Sequence, residues 1–149
     1  MKNYLCLLLL LPISFLSCDK EDKVEDDPVP ERSAQEKMLM NHKWNHVSYV
    51  VMEGDEVQSY DLFSDPCFQD DYYEFRTDST WTFYPVSPCD FELNSYGGTW
   101  RIVGNTFFAK RNSSNQEYPN IIKELTDSTF VYGSEYNEFK HTHTFKALD

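Results

Sequence analysis

Residues 71–84 read Asp71-Tyr72-Tyr73-Glu74-Phe75-Arg76-Thr77-Asp78-Ser79-Thr80-Trp81-Thr82-Phe83-Tyr84, and their periodicity points to an all-β chain. Aromatic residues recur at every second position on both sides of Asp78-Ser79, as Tyr73 and Phe75 before it and Trp81 and Phe83 after it. A period of two is the signature of a β-strand, whose successive side chains point to opposite faces. Asp and Ser favour turns because their short polar side chains bond to nearby backbone. The segment is therefore predicted to be a hairpin, and strands joined by so tight a turn are antiparallel. A two-residue turn at Asp78-Ser79 would pair Tyr73 with Tyr84.

The same pattern continues along the chain. Strands are predicted at 43–52, 71–77, 80–86, 97–103, 106–111, 117–125, 129–134 and 138–146, with a weaker one near 56–60. Gly104-Asn105, Asp127-Ser128 and Asn137 mark further turns. Short connections make the order a meander, and about eight such strands can close into an antiparallel up-and-down β-barrel. Ahead of them, Ser33-Ala34-Gln35-Glu36 has the form of a capping box, so a short N-terminal helix is expected with Ala34, Met38 and Leu39 on one side. Thr126-Asp127-Ser128-Thr129 repeats Thr77-Asp78-Ser79-Thr80, which shared turn chemistry explains without duplication. Ser79 and Ser128 in these triplets also resemble bacterial O-glycosylation acceptors.

Composition narrows the function. The chain has 149 residues, with 13 Lys+Arg against 25 Asp+Glu and a net charge of −12. A nucleic-acid partner is not expected, because a phosphate backbone requires a basic face. The start, Met1-Lys2-Asn3, leads into an apolar run from Leu5 to Leu16 that is too short for a membrane span and suits a signal peptide. Leu16-Ser17-Cys18 closes it and resembles the lipobox of bacterial lipoproteins, which makes Cys18 the expected lipidation site. The alternative is a secretory signal with an incidental cysteine. Residues 18–32, rich in Asp and Glu with Pro28 and Pro30, are expected to form a solvated tether. Its acids resemble surface-export tags and would equally serve a plain spacer. The domain organisation is then a signal peptide at 1–17, a tether at 18–32 and a barrel at 33–149. Its expected place is the outer membrane of a Gram-negative bacterium, on the periplasmic or, preferably, the cell-surface side. An acidic domain is repelled by an anionic membrane surface, so the membrane contact would come from the lipid.

Cys6 leaves with the signal and Cys18 takes the lipid, which leaves Cys67 and Cys89 as a pair. Outside the cytoplasm such a pair is expected to be a disulfide. The two flank the open end of the 71–86 hairpin one position out of its predicted register, an offset that a bulge beside Pro66 or Pro88 would absorb.

Several motifs in order resemble a known group. They are Trp44 behind a short helix; Cys67-Phe68-Gln69-Asp70-Asp71-Tyr72-Tyr73-Glu74-Phe75; Gly98-Thr99-Trp100-Arg101-Ile102-Val103-Gly104-Asn105; and Phe139-Lys140-His141-Thr142-His143-Thr144-Phe145. Over about residues 36–148 the chain resembles the bacterial lipocalin-like lipoproteins, although His42-Lys43-Trp44 stands where lipocalins proper have Gly-x-Trp. The resemblance implies a small secreted antiparallel barrel, in agreement with the strand pattern.

Alternation places Tyr73, Phe75, Trp81, Phe83, Trp100, His141 and His143 on inward faces, where they are candidate ligand contacts. All aromatics except Tyr4 and Phe15 lie from Trp44 onward, enough to fill much of a short barrel, so any cavity is expected to be small. His141 and His143 could orient a polar head, or simply belong to the wall near a solvated rim. His42 and His46 straddle the expected helix–strand boundary and receive no role. Asp65, Asp70, Asp71 and Asp90 have oxygens suited to Ca²⁺ but no loop spacing for it, so they read as surface charge and no metal or cofactor is expected. Catalytic signatures are absent, and a non-enzyme is expected. Two functions remain. One is a binding module for a small apolar or aromatic ligand. The other is a packed scaffold whose loops 61–71 and 87–96, with Phe63, Phe68, Phe91 and Tyr96, contact a surface protein or glycan.

Two outcomes follow for the cysteines. Changing Cys18 to Ala should abolish palmitate labelling and release the protein from membranes, and membrane retention by the variant would refute the anchor. Thiol counting on the denatured, unreduced mature domain should find neither Cys67 nor Cys89 reactive, whereas two free thiols would exclude the bridge.

Overall fold

The barrel closes on its first and longest strand. In the computed structural model, described for residues 31–86 and 94–148, β1 (Lys43–Glu53) pairs antiparallel with β9 (Phe139–Leu148) over its whole length, from Lys43 opposite Leu148 to Glu53 opposite Phe139. Its other edge is shared. Lys43 and Trp44 meet β3 (Tyr72–Phe75), whereas Ser48 to Glu53 meet β2 (Glu56–Asp61). From β3 onward each strand pairs with the next: β4 (Thr80–Tyr84), β5 (Tyr96–Val103), β6 (Thr106–Arg111), β7 (Tyr118–Leu125), β8 (Thr129–Tyr136) and β9. Eight strands thus form a closed antiparallel barrel, and β2 is a ninth strand folded onto the upper half of β1. The weak 56–60 prediction is this strand, and it is exposed along its whole length.

Residues 1–30, with the expected signal, Cys18 and most of the tether, lie outside the described residues, as do Cys89, Asp90 and Phe91. Arg32, read from sequence as the last tether residue, is fixed against the barrel. Its guanidinium donates to Glu36 Oε1 at 2.9 Å, to the Thr77 carbonyl at 2.6 Å and to Ser79 Oγ at 2.7 Å.

One end of the barrel is solid. Helix α1 (Ala34–Met40) starts with the predicted capping box, in which Ser33 N–H donates to Glu36 Oε2 at 2.8 Å and Glu36 N–H donates to Ser33 Oγ at 3.2 Å. Its buried face centres on Leu39, not on Ala34 and Met38, because Leu39 alone is fully enclosed at the barrel base. Trp44, at the entry of β1, is equally buried and its indole N–H donates to the Leu39 carbonyl at 2.8 Å. That bond ties the helix end to the first strand and satisfies a carbonyl that the last helical turn cannot. Trp44 meets Phe130 edge-on, and Phe130 meets Phe75 and Phe107 in the same way, so the base is a lattice of T-shaped rings. Trp100 joins it through Phe75 at 5.6 Å and donates its indole N–H to the Thr80 carbonyl. Gly98 permits the close packing of β5 on β6, since a Cβ there would stand 1.8 Å from the Lys110 carbonyl oxygen.

The decisive hairpin forms one residue out of the predicted register. Tyr73 faces Phe83 and Phe75 faces Trp81, with Tyr72 opposite Tyr84. The loop holds three residues, Thr77-Asp78-Ser79, closed by Arg76 N–H donating to the Thr80 carbonyl at 2.8 Å. Ser79 supplies the left-handed residue with φ 66°, and Asp78 Oδ1 accepts from both the backbone N–H and the hydroxyl of Thr80. At the other Thr-Asp-Ser-Thr sequence a two-residue loop forms instead, with Thr126 N–H donating to the Thr129 carbonyl at 2.9 Å and Leu125 opposite Phe130. The two turns therefore share composition and not geometry.

Candidate ligand-binding cavity

The functional side chains lie on the inner face of β8, β9 and β1. A bulge interrupts the β1–β9 ladder between His46 and Ser48. The extra residue, Val47, inverts the alternation, so His46 and Tyr49 both point inward although their spacing is odd. Each then stacks on its partner in β9: His46 on Phe145 at 4.5 Å and Tyr49 on His143 at 4.6 Å. From β8, Tyr132 stacks on the other side of His143 at 4.9 Å. His143 Nδ1 lies 3.2 Å from His46 Nε2, and Tyr49 Oη lies 2.7 Å from His141 Nδ1.

Burial keeps the two inner imidazoles neutral. It lowers the His46 pKa from 6.5 to about 4, opposed only by a hydrogen bond to the Ser48 backbone. It lowers the His143 pKa to about 3, with the neighbouring His46 and His141 adding to the effect. Between His143 Nδ1 and His46 Nε2 one ring donates and the other accepts, which two neutral imidazoles can do.

The facing wall is phenolic. Tyr73 Oη and Tyr96 Oη are 3.2 Å apart, and the Arg111 guanidinium stacks 4.6 Å from the Tyr96 ring centre. Burial raises the Tyr73 pKa well above the ordinary phenol value and pushes Tyr132 up as well, so both remain protonated donors.

Between these walls lies an open cavity of about 1270 Å³. Of the seven residues predicted as ligand contacts, Tyr73, Phe75, Trp81, His141 and His143 line it. Phe83 lines a side pocket of about 170 Å³ with Leu62, Phe68 and Tyr96. Trp100 belongs to the solid base and lines neither. The expectation of a small cavity is corrected: rings gather at the base or stack flat along neighbouring strands, and so do not cross the lumen. Among the lining residues not foreseen are His46, Phe107, Arg111 and Tyr132. His46 shares its parity with Trp44, a signal that the assumed helix boundary concealed.

The acidic group near Cys67 disperses. Asp71 is buried, with a carboxylate oxygen accepting from Val86 N–H at 2.8 Å, and so is not surface charge, whereas Asp65 and Asp70 are exposed. Among the described residues, no three His, Cys, Asp or Glu side chains are placed to hold a metal ion. Ser79 Oγ is engaged by Arg32, while Ser128 is exposed.

An eight-stranded closed barrel, plugged at one end by a short helix and hollow at the other, defines the class. Residues 40–132 match the family described as the lipocalin-like domain, and the chain belongs to that family. A lipocalin-like protein from Bacteroides uniformis ATCC 8492 is similar in structure, with a TM-score of 0.52 and 15% identity over 74% of this chain and 99% of that one. An uncharacterized protein from Bacteroides eggerthii DSM 20697 gives a TM-score of 0.48 and 15% identity over 72% of this chain and 98% of that one. No curated protein matches.

The buried imidazoles make the barrel acid-sensitive. Their folded pKa values lie below the unfolded value of 6.5, so the unfolded chain binds more protons as pH falls through 6.5 toward 4. Stability is full above that window and is lost within it, by on the order of 2 kcal/mol per imidazole at pH 5. Urea midpoints at pH 7.5 and pH 5 should show this loss, and His143→Gln should reduce the difference between them. A wild-type midpoint that does not move would exclude buried neutral imidazoles.

Proposed function

We propose that this protein is a binding module that holds one small apolar or aromatic molecule in the barrel, rather than an enzyme. The observation that carries the reading is the hollow upper barrel, lined by Trp81, Phe107, Tyr132 and the neutral His46 and His143. Drug-sized ligands occupy pockets of roughly 300–1,000 Å³ lined by apolar and aromatic groups with a few fixed polar ones. Stacked rings give such a ligand contact area at little entropic cost, because the rings are already ordered. The lipocalin-like fold is in general a binding fold, which agrees with this reading.

The rest of the proposal concerns place. Cys18 carries the lipid, the acidic stretch after it spaces the barrel from the outer membrane, and Cys67 pairs with Cys89 in an oxidising compartment. The packed-scaffold alternative is less well supported. It needs a filled interior, and two of its contact residues are occupied elsewhere: Tyr96 bonds Tyr73 inside the wall and Asp71 is buried.

N-phenyl-1-naphthylamine, a neutral aromatic reporter, should gain fluorescence on binding the mature domain. Ala109→Trp, which sets a large ring into the cavity lining, should weaken that binding by at least about tenfold, judged against the ~1.4 kcal/mol that each tenfold represents. Native mass spectrometry of gently purified protein should show a co-purified small molecule. Wild-type protein that leaves the reporter dark would refute the reading.

A further inference from the structure

We propose that the ligand of this cavity is a monocarboxylate with an apolar or aromatic body, and that Arg111 with the Tyr73–Tyr96 phenol pair receives its head. The inference rests on the cavity being the binding site and goes further by assigning the ligand's charge and orientation.

Three charged side chains line the cavity among the described residues: Arg111, Glu117 and Glu135. Two of them are balanced by neighbours. Arg101 grips Glu117 with two bonds of 3.1 and 2.7 Å, and Lys140 stands 3.8 Å from Glu135. Arg111 has no ion pair among the described residues. Its guanidinium lies against the Tyr96 ring, and stacking of this kind occupies the face of the group. The N–H fork in the plane remains available, and that fork matches the two oxygens of a carboxylate.

The phenols beside it carry a surplus of donors. Each of Tyr73 and Tyr96 has one hydroxyl proton, and across their 3.2 Å contact only one of the two can be donated to the partner. The other proton needs an acceptor. The Arg111 N–H that reaches Tyr96 Oη at 3.5 Å adds a donor and takes none away. The Arg111 guanidinium and the Tyr73 hydroxyl therefore line the same cavity, with Tyr96 of the adjoining side pocket in contact with both, and these donors are the complement of an anionic oxygen and not of an apolar tip. Arg111 also opposes the burial-driven rise of both the Tyr73 and Tyr132 pKa values, so its field reaches the buried part of the lining. The net charge of −12 does not cancel this attraction. Acids more than a Debye length away, about 8 Å at physiological ionic strength, are screened.

The test compares two ligands of equal chain length, decanoate and 1-decanol, as displacers of N-phenyl-1-naphthylamine at pH 7.5. The wild type should release the reporter at about tenfold lower decanoate than decanol, which is the scale of one charge-assisted bond. Arg111→Gln should bring that ratio close to one, Arg111→Lys should restore part of it, and Tyr96→Phe should reduce it. Arg111 is exposed and outside the core, so its variants are expected to fold. Equal displacement by the two ligands in wild type would overturn the carboxylate while leaving the cavity as the binding site. An unchanged ratio in Arg111→Gln would also overturn it. Failure of the reporter itself to bind would instead remove the binding reading on which the inference stands.

Discussion

The β1–β9 seam is the constraint on which the rest of this barrel depends. A sheet of eight strands becomes a barrel only when its ends meet, and here one strand of eleven residues meets another of ten along its full length. The junction with β3 on the opposite edge amounts to two residue pairs. Closure therefore rests on a single long ladder, which also removes an edge that would otherwise invite pairing with another chain. The bulge at Val47 within that ladder sets what the interior contains. Without it, Tyr49 would face outward and His143 would lose the ring stacked on one of its sides. A single extra residue thus brings Tyr49 onto the imidazole wall.

Solid base and hollow top result from one distribution of side chains. Tryptophan and phenylalanine gather where α1 closes the barrel, and their edge-to-face contacts exclude water from the helix end. Such a base supplies the apolar burial that a domain of this size requires, so the upper half need not be packed to hold the fold. Histidine and tyrosine occupy the middle of the barrel, each with one polar atom on an otherwise flat ring. They can be buried because their polar atoms bond one another: His46 with His143, Tyr49 with His141, Tyr73 with Tyr96.

Much of this was legible in the sequence, for physical reasons. Strand positions follow from a period of two broken by Gly, Asn and Asp-Ser turns, and both signals are local. The capping box is equally local. Register is less so. The 75–81 hairpin slipped by one residue because Ser79 adopts a left-handed backbone that its side chain does not advertise. His46 was passed over because it was weighed with His42 across the helix–strand boundary and not with Trp44 along the strand, whereas Tyr49 was concealed by the bulge after His46, which reverses parity in a way that no alternation pattern reveals. The cavity was underestimated for a different reason. Counting aromatics measures volume, whereas stacking along neighbouring strands lays that volume flat against the wall. Trp100 shows the limit of face assignment, since an inward residue near a strand's base belongs to the core and not to the lumen.

The chemistry of the lining follows from the cost of burying charge. An ionised group deep in a barrel loses hydration that only a partner can replace. The inner groups avoid that cost by staying neutral: burial places the pKa values of the His46 and His143 imidazoles well below neutral pH and that of the Tyr73 phenol well above it. Arg111 cannot become neutral, and it is found exposed on a Tyr96 face, where water still reaches it. The depth of each group in the barrel thus matches what it costs to desolvate it. A ligand of the kind proposed would meet the same gradient, with its polar end toward Arg111 at the solvated side and its apolar end toward Phe107, four residues further down the same strand.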